Sequence, residues 1–515
     1  MEVRCAQLQA ALRDTPPQDQ PAPELIASAI EFAREALQGG CAGLAVETLE
    51  ILVERAPRQA RALQLLGFAY GEEQRIPEAA RVLAQAANLE PQDSLTALAH
   101  AQATLDAGLP ANQLFDRAHR LTPGNLTAVN GWAASVALQG GAGPAEALLA
   151  ETLLRRPDWL AGHKNLAALR FTSGDTLDFA RSYAAACAVQ PQNLPLRLAW
   201  FGAAAQTRDW EKALQILADG ETLIGAVPAF AAARALIAGE SGEDDRAEEL
   251  FAQTEGQRDD VLRIAHMRHC LRTAQIDKAD RLALSLMQGP SAPSIWPYLS
   301  LIWRLRGDAR AQWLDGTPPY IRAFDLDFSA SELDDLAAVL RRLHTARGPF
   351  VEQSVRGGTQ TDIDRQLFFR AEPEIQQVRA KVHGAIREYV AGLPAPVPEH
   401  PLLGMPRGRI LFSGSWSVRL TGHGFHVSHT HPKGWISSAL YVSLPTHFGA
   451  EPAGWISFGA PPADLRSNLP PYARFEPKPG RLILFPSTMW HETLPFDDGE
   501  RLVIAFDVMR RKTAY

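Results

Sequence analysis

The chain is 515 residues long, more than one ordinary hydrophobic core organises, so at least two domains are expected. It is 46% hydrophobic and 21% charged, as soluble globular proteins are, and a formal net charge of −7 argues against nucleic acid or an anionic membrane as its main partner. No apolar run nears the roughly 20 residues that cross a bilayer, no basic-then-apolar leader opens the chain, and the scattered Cys5, Cys41, Cys187 and Cys270 fit a reducing cytoplasm better than a disulfide framework or a zinc knuckle.

After an N-terminal extension, residues 1–23, the sequence repeats. Prolines fall at Pro57, Pro91, Pro123, Pro157 and Pro191, with gaps of 34, 32, 34 and 34. Alanines recur at a fixed offset before them, at Ala45, Ala79, Ala111 and Ala145, and echo later at Ala180, Ala213, Ala247 and Ala279. A period near 34 is that of tetratricopeptide repeats, and Leu63, Leu66, Gly67, Tyr70, Ala79, Leu83, Ala86 and Pro91 form one complete unit. The glycine and alanines let two antiparallel helices approach, and the proline stops the second. Roughly seven or eight helix pairs are expected over residues 24–312. Such a solenoid offers a groove for a peptide or protein, or serves as a rigid spacer or dimerisation surface.

The period changes after Thr317-Pro318-Pro319. A helix is expected next, capped by Ser329 or Ser331, with Leu333, Leu336, Val339, Leu340 and Leu343 as its apolar stripe. A second starts near Pro373 and buries Ile375, Val378, Val382, Ile386 and Tyr389. Between them, Arg356-Gly357-Gly358-Thr359-Gln360 reads as a polar loop that either covers a site or makes a turn. From Arg409 on, segments 409–420, 425–431, 435–444, 454–458, 480–486 and 500–508 are rich in β-branched and aromatic residues, with Gly, Pro and Asp between them. Short antiparallel strands of this kind predict a jelly-roll barrel with helices on one side, over residues 318–515.

Six of the fourteen histidines lie between residues 423 and 491, inside that barrel. His429 and His431, at i and i+2, share one side of a strand and can bind one metal ion together. His491 from a distant strand would complete a face of three ligands. Arg501, ten residues further, could grip a dicarboxylate with two parallel hydrogen bonds. This layout points to an iron-dependent oxygenase, although imidazole does not by itself select iron over zinc. His426 falls on the opposite strand face and His423 in a Gly422-His423-Gly424 turn, so either replaces a ligand only if the strand bulges. His400 and His447 read as structural. The alternative for Arg501 is a surface ion pair with Glu500 or Asp507. Tyr441 and Trp435 are candidates for the pocket lining, with the barrel core as the commoner place for such aromatics.

The motifs Gln353 to Thr361, Ser415-Trp416-Ser417-Val418, His429-Thr430-His431-Pro432, Trp435-Ile436-Ser437 with Tyr441, Gly480 to Ser487, Trp490-His491 and Gly499-Glu500-Arg501 resemble a family of 2-oxoglutarate/Fe(II) oxygenases found largely in bacteria and phage. The resemblance covers roughly residues 318–510. It implies a double-stranded β-helix, and Fe(II), 2-oxoglutarate and O2 as reactants, with succinate and CO2 as co-products. It maps the metal ligands to His429, His431 and His491, and the grip on the distal carboxylate of 2-oxoglutarate to Arg501; Tyr441, within one of the motifs, is a further candidate for co-substrate binding. The wider superfamily commonly has an acid at the second ligand position, where this chain has His431.

Four functions are compatible with these residues. They are a hydroxylase for a protein or peptide presented by the repeats, an oxygenase for a small molecule with the repeats used for assembly, a non-catalytic repeat scaffold, and a metal dioxygenase that does not use 2-oxoglutarate. The retained histidines count against the scaffold, and Arg501 counts against the last.

Overall fold

The structure, a computed structural model, describes residues 1–16, 19–316, 320–346, 354–362 and 365–510. The Thr317-Pro318-Pro319 breakpoint and Gln353 lie outside the described residues. The chain forms two compact units, Met1–Glu151 with Arg365–Gln376, and Thr152–Asp364 with Gln377–Tyr515. No helix among the described residues is long and apolar enough to cross a membrane.

The first unit is an array of paired helices. Pro57, Pro91 and Pro123 each stand two residues beyond a helix end, after Ala42–Arg55, Ile76–Leu89 and Asn112–Leu121. There the missing N–H and the ring clash prevent another turn. Ala45, Ala79 and Ala111 are buried between helices. A methyl group on Gly67 would overlap the Leu83 side chain, so this glycine sets how closely Ala60–Glu72 and Ile76–Leu89 pack. Asp93 and Asn125 cap the helices that follow by accepting hydrogen bonds from backbone N–H groups of the first turn. The extension before residue 24 holds a helix of its own, Glu2–Asp14, whose Cys5, Leu8 and Leu12 join the same core.

The second unit continues the pairs and ends in a sheet. Pro191 stands two residues beyond Arg181–Val189, and Ala213, Ala247 and Ala279 are fully buried. The last repeat helices are Asp260–Arg272, Ile276–Leu286, Ala292–Arg306 and Arg310–Asp315. Ser329, not Ser331, caps Ala330–Leu343, in a reciprocal capping box with Glu332. Leu336, Val339 and Leu340 are buried, while Leu333 and Leu343 are only half-buried. Pro373 opens Pro373–Ala391, whose Val378, Val382, Ile386 and Tyr389 are all buried.

Among the described residues the sheet has nine antiparallel strands: β1 Arg322–Asp325, β2 Val355–Gln360, β3 Phe412–His429, β4 Gly434–Ser443, β5 Ile456–Phe458, β6 Ala473–Phe475, β7 Arg481–Pro486, β8 His491–Thr493 and β9 Arg501–Met509. The order is β1-β7-β4-β9-β3-β8-β5-β6, with β2 on the other edge of β3. β3 carries the curl: it runs along β9 through residues 412–420 and then along β8 at His426 and His429.

Two expectations are corrected here. Segments 409–420 and 425–431 are one strand, because His423 takes a φ of +63° inside β3 as a bulge rather than turning the chain. Arg356 to Gln360 is strand β2, not a loop. A Cβ on Gly358 would strike the Arg419 carbonyl, so this glycine permits close strand pairing rather than mobility.

Repeat helices and sheet share a core. Leu465 and Trp490 from the sheet region pack with Met267, Cys270, Leu271, Ile295, Leu299 and Ile302. Beside it, Arg268 bridges Glu240 at 2.8 Å and Asp464 at 2.5 Å, and Arg272 bridges Glu240 at 2.6 Å. Burial alone would raise the Glu240 carboxyl, but the Arg268 and Arg272 guanidiniums outweigh it and hold the group at about 2, below its ordinary 4.5. A carboxyl with a depressed folded-state pKa stabilises the fold above its unfolded value and loses that contribution as pH falls through the folded one. Stability should therefore decline between about 4.5 and about 2, by on the order of 3 kcal/mol from this group. Thermal unfolding as a function of pH should show Glu240→Gln lacking that part of the slope.

Candidate metal centre

The bulge in β3 and the short strand β8 bring the histidines together. His429 ends β3 and pairs directly with His491, the first residue of β8. His431 lies beyond the strand end, so strand parity is not what aligns it with His429. Its backbone N–H donates to the Ser487 carbonyl at 3.0 Å, which folds the turn back over the sheet. Each residue offers one ligand atom, and the three lie within 4.8 Å of one another. Ring centroids are 4.2 Å apart for His429 and His491, 5.0 Å for His429 and His431, and 5.2 Å for His431 and His491.

The surroundings decide which nitrogen is free. His429 Nδ1 is 2.8 Å from the Val427 carbonyl oxygen, and His491 Nδ1 is 3.0 Å from that of Met489. A carbonyl only accepts, so both Nδ1 atoms carry the proton and both Nε2 atoms keep a lone pair. His431 Nδ1 is 3.0 Å from Asp507 Oδ2, which leaves its Nε2 free as well. Burial first, then the neighbouring His431, lowers the His429 pKa to about 3. Burial followed by His429 and His431 likewise pushes His491 well below its ordinary value. The His429 and His491 rings are thus neutral at neutral pH, which is the form that binds a metal ion.

Arg501 opens β9 and is 2% exposed. It is not in the surface ion pair considered from sequence. Glu500 instead bonds Arg341 and Arg419, and Asp507 bonds His431. The Arg501 guanidinium lies 5.0 Å from the centroid of the buried Tyr441 ring. Its Nε is buried without a hydrogen-bond partner among the described residues, and the Tyr441 hydroxyl lies beside the guanidinium. Burial pulls the Arg501 pKa down, as expected for a cation without an acid beside it. A buried guanidinium of this kind fits a carboxylate ligand. Trp435 is structural: its indole N–H donates to the Leu402 carbonyl at 2.8 Å. His400 is structural too, bonded to the Trp313 carbonyl and to the Leu402 and Leu403 N–H groups.

Three further residues border the centre. Ser354 Oγ is 3.3 Å from His429 Nε2. The His426 ring centroid is 5.8 Å from that of His429, where a second irregularity, a register shift between His426 and His429 against β8, interrupts strand alternation. Asp507 holds His431 and accepts a 2.6 Å hydrogen bond from Ser437, whose hydroxyl also meets that of Ser487 at 2.8 Å. Strand parity could have found Asp507, since Arg501, Val503, Ala505 and Asp507 alternate onto one face of β9. A carboxylate behind a ligating imidazole orients the ring and makes it a stronger ligand. Asp507→Asn should keep the His431 contact but remove the charge, and so weaken divalent-metal binding by about 10- to 100-fold. Calorimetric metal titration of the variant against the native chain measures this.

Residues 414–507 match the model of a family described as "Putative 2OG-Fe(II) oxygenase". The matched stretch contains all three histidines, Tyr441, Arg501 and Asp507. The chain therefore carries a 2OG-Fe(II) oxygenase domain behind its helical repeats. Comparison with curated protein sequences finds no match. Among solved structures, a MamA protein is 13% identical, with a TM-score of 0.30, covering 32% of this chain and 92% of its own. A tetratricopeptide repeat protein from Parabacteroides merdae is 15% identical at a TM-score of 0.30, covering 47% of this chain and 96% of its own. A prolyl-4-hydroxylase from Pseudomonas putida is 19% identical at a TM-score of 0.25, covering 38% of this chain and 94% of its own.

Proposed function

We propose that the chain is a 2-oxoglutarate- and Fe(II)-dependent dioxygenase that hydroxylates a protein or peptide, with residues 24–312 presenting the substrate to a jelly-roll oxygenase domain in residues 318–515. The observation that carries this reading is three imidazoles gathered around one point, in the same sheet as a buried guanidinium that has no acidic partner among the described residues. His429, His431 and His491 would hold Fe(II). Arg501 would hold the distal carboxylate of 2-oxoglutarate, with the Tyr441 ring beneath its guanidinium. When bound, Fe(II) with 2-oxoglutarate and O2 supplies C–H hydroxylation, releasing succinate and CO2.

The chain's own residues prepare that chemistry. The Val427 and Met489 carbonyls fix the tautomers of His429 and His491, and Asp507 fixes that of His431. Trp416 stacks on His431 at 5.5 Å, and Phe485 packs on His491 at 4.7 Å, so one side of each of these rings is shielded from water. Asp507 puts negative charge one bond network behind the metal position, where the wider superfamily has a carboxylate among the ligands themselves.

The test is succinate formation by the full chain supplied with Fe(II), 2-oxoglutarate and air. Slow turnover without added substrate is expected, and none above blank with iron loaded anaerobically would overturn the reading. Mass spectrometry of peptides incubated with the active chain then reads the substrate class. Gain of one oxygen by a peptide supports peptide hydroxylation, whereas oxidation of free small molecules alone moves the assignment to them.

A further inference from the structure

His491 is held from behind by the repeat helices. In extended chain, consecutive side chains point to opposite sides. His491 therefore faces the centre while Trp490 faces away, into the core built by the last repeats. The Trp490 indole N–H donates to the Pro297 carbonyl at 2.9 Å. Pro297 lies inside the helix Ala292–Arg306, and the next residue, Tyr298, meets the Trp490 ring edge-on at 5.5 Å. The Tyr298 hydroxyl accepts from Arg268 at 2.8 Å, and Arg268 also bonds Asp464 in the segment between β5 and β6. Arg272 Nε donates to the Asp464 carbonyl at 3.0 Å, and Arg466 bonds Asp244 at 2.6 Å. Arg304 donates to the Gly459 and Pro470 carbonyls, and the Gly459 N–H in turn donates to the Trp490 carbonyl at 2.8 Å.

These contacts converge on three consecutive residues. The Met489 carbonyl orients the His491 ring, Trp490 is anchored on both its side chain and its carbonyl, and His491 supplies the ligand atom. Any movement of Ala292–Arg306 shifts Trp490, and with it both the His491 backbone and the carbonyl that sets its ring. From this geometry we infer that Trp490 is a positioning residue, through which the last repeat helices hold His491 in its metal-binding pose. The inference rests on the proposed metal centre. It makes the final repeats part of the oxygenase itself rather than an appended module.

Co(II) serves as the probe, because its visible spectrum reports ligand geometry as well as occupancy. The native chain is expected to bind one Co(II). Trp490→Phe keeps an aromatic ring but removes the donor to Pro297, and is expected to bind Co(II) about 10-fold more weakly with an altered spectrum. Arg304→Gln, which loosens the Gly459 end of the same network, is expected to shift both readouts in the same direction by less, and it decides the question should Trp490→Phe not fold. A purely structural role would lower the melting temperature but leave the spectrum of the folded protein unchanged. Native affinity and native spectrum in the folded variants would overturn the positioning role while leaving the centre standing. A native chain that binds no Co(II), as His429→Ala should not, would overturn the centre and this inference together.

Discussion

His429→Ala is expected to abolish 2-oxoglutarate turnover and to weaken divalent-metal binding by more than about 100-fold, beyond the loss that follows removal of an outer-shell partner. Of the three candidate ligands, His429 is the most central. Its ring is 4.2 Å from that of His491 and 5.0 Å from that of His431, and the other two are 5.2 Å apart. Two imidazoles on opposite sides of the gap left behind cannot define a face of three ligands. The fold should survive, because the substitution removes a desolvated imidazole whose pKa burial has already lowered to about 3. Its effect on stability should stay within about 1 kcal/mol. Metal titration, succinate formation and thermal unfolding of the one variant separate these effects. Turnover near the native rate would show that the histidines do not hold the catalytic metal.

The parts of this architecture legible in the sequence are those written as local repetition. Pro57, Pro91 and Pro123 mark helix ends because one residue type stops a helix wherever it falls. Ser329 is readable as a cap from Glu332 three residues on. The histidine cluster stands out because three imidazoles in one predicted barrel are rare without a ligand. What sequence hid is non-local. β1, β6 and β8 are three or four residues long, too short for alternation to register. β2 was hidden by Gly357 and Gly358, whose composition signals a loop but whose lack of side chains lets β2 lie close against β3. His431 lies beyond the end of β3, and Ser487 and Asp507, from two other segments, bring it back. The link from Pro297 to Trp490 spans 193 residues and leaves no local mark at either end.

Arg501 is where activity and stability should move in opposite directions. A fully buried guanidinium with no acidic partner among the described residues costs folding free energy, because its hydration is lost and the Tyr441 ring replaces it only in part. Arg501→Met fills similar volume without the charge, so the ligand-free chain should melt higher than the native one. The same substitution removes two parallel charge-assisted hydrogen bonds to a carboxylate, each contributing about 1.5–3 kcal/mol. The concentration of 2-oxoglutarate needed for half-maximal succinate formation should therefore rise by about 100-fold or more. Arg501→Lys keeps the charge but not the forked geometry, and should fall between the two. Added 2-oxoglutarate with an inert divalent metal should raise the melting temperature of the native chain by binding only the folded state, and should fail to do so for Arg501→Met. A variant that melts lower than native, with an unchanged co-substrate requirement, would make Arg501 a structural residue. The centre would then have to hold a metal without the dicarboxylate, as a dioxygenase of another kind would.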